Sequence, residues 1–233
     1  MRAAVALLTV LGRAREPTPR VWRWFPVVGA GIGALVGGAW WLADQAFPPL
    51  LAGGLAVGVG LAVTGMLHVD GLADAADGLL CHAGREERLR IMRTPDVGAF
   101  GVTVVAAVLL LQMSALAVQA VSVVMIAAVW SGSRTAITAA PLVLSYVRDG
   151  GIASDILGPK VSALPLVALA PVVTVAAIVE GFRGLAAVVA TVAGVAVVLW
   201  LARRRLGGFT GDVLGAAIVV GETAGIVAGA ARW

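Results

Sequence analysis

Apolar runs of about twenty residues alternate with short polar breaks along the whole chain. Seven such runs are Pro26–Leu42, Pro48–Leu67, Gly98–Ala120, Ser122–Tyr146, Val161–Val179, Gly184–Ala202 and Val213–Ala231. A helix rises about 1.5 Å per residue, and a bilayer core is about 30 Å thick, so each run matches one crossing. The strict two-residue alternation of an outer-membrane barrel is absent. The pattern therefore predicts an all-α, polytopic helical integral membrane protein with about seven transmembrane helices. Glycines recur at spacing four in Gly29–Gly33–Gly37, Gly54–Gly58 and Gly221–Gly225–Gly229. Such ladders let helices pack closely in lipid.

The polar breaks are not alike. Alternate breaks collect Arg13, Arg15, Arg20 and Arg23, then Arg85, Arg88, Arg90 and Arg93, then Arg148 and Lys160, then Arg203, Arg204 and Arg205. The opposite breaks hold only Arg183 and Arg232. This asymmetry predicts that the first group faces the cytoplasm, with the N-terminus inside.

Composition supports the membrane reading. Hydrophobic residues make up 60% and charged residues 13%, and mean hydropathy is +0.99. Ordinary soluble domains carry about 25% charged residues. The net charge of +4 is distributed as orientation signals, which argues against nucleic acid as a partner. The single cysteine, Cys81, excludes an intramolecular disulfide framework. Residues 1–25 read as an N-terminal interfacial segment rather than a cleaved signal, because Arg13 and Arg15 follow its short apolar run directly. No linker or repeat divides the chain, so residues 1–233 are expected to form one membrane-embedded domain.

Four polar patches carry candidate chemistry. The first is "HVDGLADAADGLL", His68 to Leu80. On a helix Asp70, Asp74 and Asp77 fall within about 60° of arc, one carboxylate face. Clustered carboxylates repel unless a cation lies among them, and hard oxygen ligands select magnesium, calcium or manganese. Magnesium keeps room for substrate phosphates, so this stretch predicts a metal site for a phosphorylated substrate. His68 is a candidate general base. The second patch, "RLRIMRTPDVGAFG", offers Arg93 as a phosphate ligand beside a Pro/Gly loop. The third, "WSGSRTAITA", places Arg134 inside an apolar run, either as an anion contact or as the partner of a buried acid such as Glu222. The fourth, "RRRLGGFTGDVLGAAIVVGE", joins Arg205, Gly208, Thr210, Gly211 and Asp212 at a helix start suited to an anion, with Glu222 deeper in the same run. Lys160, the only lysine, sits in "DILGPK" on the same side.

In this order and at these spacings, the four patches resemble the cobalamin synthase family, the adenosylcobinamide-GDP ribazoletransferases. The resemblance runs from about Val21 to Glu222. Two departures are visible: "TVLG" from Thr9 stands where the family often has Thr-Arg-Leu-Pro, and Thr94 stands where it often has an aspartate. The resemblance implies a magnesium-dependent enzyme of the bacterial cytoplasmic (inner) membrane with its active site at the cytoplasmic face. Adenosylcobinamide-GDP and α-ribazole, or its 5′-phosphate, are the implied substrates and GMP the leaving product. Asp70, Asp74 and Asp77 are expected to hold Mg2+. His68 or an aspartate such as Asp77 takes the hydroxyl proton, and Arg93, Arg134 or Arg205 stabilises phosphate charge. A homo-oligomer is compatible with the sequence. A CDP-alcohol phosphotransferase also clusters aspartates at a membrane surface, but the Ala-Arg pair of that pattern is missing. An ion-coupled transporter using Glu222 and Arg134 would need mid-membrane charges in more helices.

Overall fold

A computed structural model describes residues 1–12, 18–148, 156–157 and 162–232. Among the described residues the regular structure is helical, with one isolated bridge between Tyr146 and Phe209 and no strand. The helices are α1 (Arg2–Leu8), α2 (Phe25–Asp44), α3 (Pro49–Thr64), α4 (Leu67–Leu80), α5 (Arg85–Ile91), α6 (Ala99–Ala117), α7 (Val123–Ala136), α8 (Ala140–Val143), α9 (Leu169–Leu206) and α10 (Gly211–Gly229).

By length and apolarity, five helical segments can cross a membrane: Pro19–Asp44, Ala99–Ala117, Val123–Val143, Leu164–Leu206 and Gly211–Gly229. Counting α3 with α4 as one broken span makes six. The segment Leu164–Leu206 has 43 residues, about 65 Å of helix and twice a bilayer core. It breaks at Gly181, whose φ of 62° and ψ of −142° lie outside the helical region. Ala176 and Val188 share one small apolar cluster. A straight helix would hold them about 18 Å apart, so the two arms fold back on each other. Seven crossings follow only if this segment is split at Gly181 and α3 is counted as a span.

The turn between α3 and α4 sets the geometry of the site. Gly65 and Met66 both take left-handed conformations, with φ of 58° and 59°, and the chain bends by 92°. At 14 residues, α4 is about 21 Å long, too short to cross alone. It lies across the bundle against α10 and α6.

The glycine ladders lie where helices touch. A Cβ at Gly33 would sit 2.7 Å from the Ala127 Cα, and one at Gly37 2.9 Å from the Val123 Cα, so α2 and α7 meet backbone to backbone. Gly221 closes α10 against the Thr191 carbonyl of α9 in the same way. Gly58 has open space around it and makes no such contact. At the far end of the bundle, Arg183 follows the Gly181 break and donates to the carbonyls of Gly229 and Ala120, tying the hinge to the ends of α10 and α6.

The N-terminal helix is more than a surface attachment. Ala4 and Leu8 are fully buried, and the Val10 amide donates to the Val63 carbonyl at 2.9 Å. The expected interfacial segment is thus stitched to α3 and supplies part of the core.

Candidate active site

Two polar clusters flank His68, which is buried to 6% exposure at the start of α4. The first is an open cleft of about 300 Å³ between α1, α4, α10 and the chain beyond α8. Its polar rim is Asp70, Asp212 and Arg148. Gly71 permits the approach of the two helices, since a Cβ there would lie 3.0 Å from the Asp212 carbonyl. Thr210 caps α10 by accepting from the Val213 amide. Arg148 is positioned from another direction. The Val147 amide donates to the Phe209 carbonyl and the Phe209 amide to Ser145, pinning the chain after α8 to the α9–α10 turn. The Arg148 guanidinium then donates to Asp212 at 2.7 Å.

Asp74 lies one turn further along α4, half-buried. Burial first, then the nearby Asp212 and Asp70 carboxylates, raises its pKa from 3.8 to about 6, with Arg148 pulling the other way. Three acids thus face one another across α4 and α10 with one guanidinium among them, and a cation would relieve their repulsion.

The second cluster is closed. Arg134 of α7 forms a buried ion pair with Glu222 of α10, and Ser133 bridges them, receiving from the guanidinium at 3.0 Å and donating to Glu222 at 3.3 Å. The side chains are 1% and 7% exposed. They border a small cavity of about 40 Å³ with His68, Thr64 and Gln112. That volume holds roughly one to three waters.

Several expected site residues stand elsewhere. Asp77 lies near enough to Asp74 for its charge to be felt there, but it is held by another helix. Its buried carboxylate accepts from the amides of Gly98 at 2.7 Å and Gly101 at 2.9 Å, capping α6. The wheel projection that grouped the three acids ignores helical rise, which sets Asp77 about 10 Å along the axis from Asp70. Among the described residues no three His, Cys, Asp or Glu side chains gather at metal-ligating distance. Arg134 and Glu222 pair with each other in a closed interior, so the structural alternative describes them better than a direct substrate contact. Arg93 and Arg205 are exposed and line neither cavity. Gly208 packs against the Ser145 carbonyl, while Gly211 and Asp212 line the cleft. Lys160 lies outside the described residues.

Sequence reasoning passed over Arg148, counted only as a basic loop residue, and the α1 leucines, Leu7 and Leu8, that wall the cleft. The lone tyrosine of the chain, two residues before Arg148, was the available signal.

A bundle with five or six helical segments able to cross a membrane and an acid-rimmed cleft defines a polytopic integral membrane protein. The family comparison makes this specific: residues 1–230 match the model of the cobalamin-5-phosphate synthase family, to which this chain belongs. Named relatives include an adenosylcobinamide-GDP ribazoletransferase of Deinococcus radiodurans, 34% identical over 95% of this chain and 82% of its own length. Those of Chlorobaculum tepidum and Stutzerimonas stutzeri are 36% and 38% identical, over 93% and 87% of this chain and 88% and 83% of their own lengths. No solved structure matches.

Proposed function

We propose that this chain joins adenosylcobinamide-GDP to α-ribazole, or to its 5′-phosphate, and releases GMP. The observation that carries this reading is the family match along nearly the whole chain, to relatives named for that reaction. The cleft is compatible with it.

The ribazole 3′-hydroxyl oxygen forms a bond to the phosphorus attached to cobinamide, and the bond from that phosphorus to the GMP oxygen breaks. Asp70 and Asp212 stand at the rim where the acceptor hydroxyl arrives. His68 lines the same cleft but is buried, so an exposed rim carboxylate such as Asp70 is better placed to take its proton. Arg148 holds Asp212 in place. Asp70 and Asp74 are the residues suited to Mg2+, because magnesium takes one or two carboxylates and completes its shell with water and substrate phosphate. When bound, the ion neutralises charge on the leaving phosphate. Asp77, committed to α6, supports α4 rather than the ion.

Arg85, bonded to the Leu206 carbonyl, Arg203–Arg205 in the last turn of α9, and Arg148, bonded to Asp212, lie toward the cleft end, which supports a cytoplasmic site in the inner membrane. The test is direct. Purified protein in detergent, given magnesium, adenosylcobinamide-GDP and α-ribazole, should release GMP in step with cobalamin formation. Corrinoid unchanged after such an incubation would overturn the reading.

A further inference from the structure

The floor of the open cleft differs sharply from its rim. Below Asp70 and Asp212 the walls are Leu8, Phe25, Ile137, Tyr146, Leu214 and Ile218. Phe25, Leu8 and Ile218 are almost wholly buried, so the floor is a built apolar surface and not a lipid-facing one. Its volume of about 300 Å³ lies at the lower end of ligand clefts, about 300–1,000 Å³.

These properties separate the two substrates. A corrinoid macrocycle bearing a nucleotide is far too large for this space. A flat, uncharged fused-ring base fits the floor, and ribose hydroxyls, as donors, suit carboxylate acceptors. We infer that the cleft is the acceptor subsite, taking the benzimidazole base of the nucleoside at its floor and the ribose at Asp70 and Asp212. The cobinamide nucleotide stays outside, toward Asp74. The inference rests on the proposed reaction for the identity of the nucleoside. It gives the N-terminal helix a task, since Leu7 and Leu8 close one wall.

The experiment fills the cleft from two sides. Leu7→Trp acts on a half-buried position of α1, and Leu67→Trp on one that is 47% exposed, where folding is least disturbed. In detergent-solubilised full-length protein, either variant should raise KM for α-ribazole about tenfold or more, with KM for adenosylcobinamide-GDP within about twofold. Titration calorimetry with α-ribazole alone should show binding to the parent protein and its loss in both variants. A rise confined to the adenosylcobinamide-GDP KM, or both KM values unchanged in both variants, overturns the subsite. A parent protein that binds α-ribazole in a Leu67-sensitive way but never releases GMP overturns the reaction instead and leaves the subsite standing.

Discussion

Two polar clusters touch the same histidine and have opposite characters. The cleft at Asp70, Asp212 and Arg148 is open, and the Arg148 and Asp212 side chains are 30% and 18% exposed. The Arg134–Glu222 pair a few turns away is sealed, at 1% and 7%. From sequence the sealed pair is the more conspicuous, because an ionisable group inside an apolar run marks function by default. The structure shows why access outranks conspicuousness. A group that performs chemistry on an arriving substrate must be reachable, whereas a buried ion pair leaves its partners committed to each other. Asp77 extends the lesson within a single helix, since it shares α4 with Asp70 and Asp74 yet is spent on the amides of α6.

The sharpest break between the two clusters comes from Asp74→Asn. Amide for carboxylate preserves shape and removes the charge that, with Asp70, would hold a cation. GMP release should fall about 10³-fold, equivalent to roughly 4 kcal/mol of transition-state stabilisation. Thermal unfolding in detergent should stay close to the parent protein, because removing one of three repelling acids relieves the fold. Parent-level GMP release in this variant would remove the cation from Asp74.

Glu222→Gln probes the sealed cluster and should fail in the opposite way. It leaves the Arg134 guanidinium without its counter-charge in a closed interior. Breaking such a pair costs about 3–5 kcal/mol, while replacing both partners by apolar residues is often neutral. Unfolding by heat or denaturant in detergent should therefore show a large loss for Glu222→Gln and substantial recovery in Arg134→Met with Glu222→Leu. A stable Glu222→Gln protein with a raised substrate KM would return Glu222 to the binding site.

The bundle was legible in the sequence because hydrophobic length is a one-dimensional signal. The apolar runs coincide with α2, α6, α7, α10 and the two arms of α9, and two of the three glycine ladders mark close helix contacts throughout. The Gly65–Met66 bend was not legible, and it is what lays α4 across the cleft. A methionine in a left-handed conformation has no composition cue. The site was half legible. Asp70, Asp74, His68 and Asp212 were found through local spacing, whereas Arg148 reaches Asp212 only through the Ser145–Phe209 backbone bonds, a contact between segments more than sixty residues apart. The bonds of Asp77 to the α6 amides were not legible either, because angular position on a helix does not report which neighbouring helix a side chain meets.

Asp77 also offers the smallest and most discriminating test. Gly98 and Gly101 are glycines because a Cβ at either would lie within 2.6 Å of an Asp77 oxygen, so this corner is shaped around the carboxylate. A capping role requires an oxygen acceptor and does not require a full charge. Asp77→Ala removes both acceptors and should cost about 1–2 kcal/mol of stability. Asp77→Asn keeps one oxygen toward α6 and should cost less, with GMP release within about tenfold of the parent protein. A metal ligand behaves differently: Asp77→Asn would then lose activity as completely as Asp74→Asn while remaining fully folded. Measuring unfolding and GMP release together in Asp77→Asn, Asp77→Ala and Asp74→Asn thus decides whether the third aspartate of the stretch serves the ion or the scaffold, and the two amide-bound oxygens of Asp77 favour the scaffold.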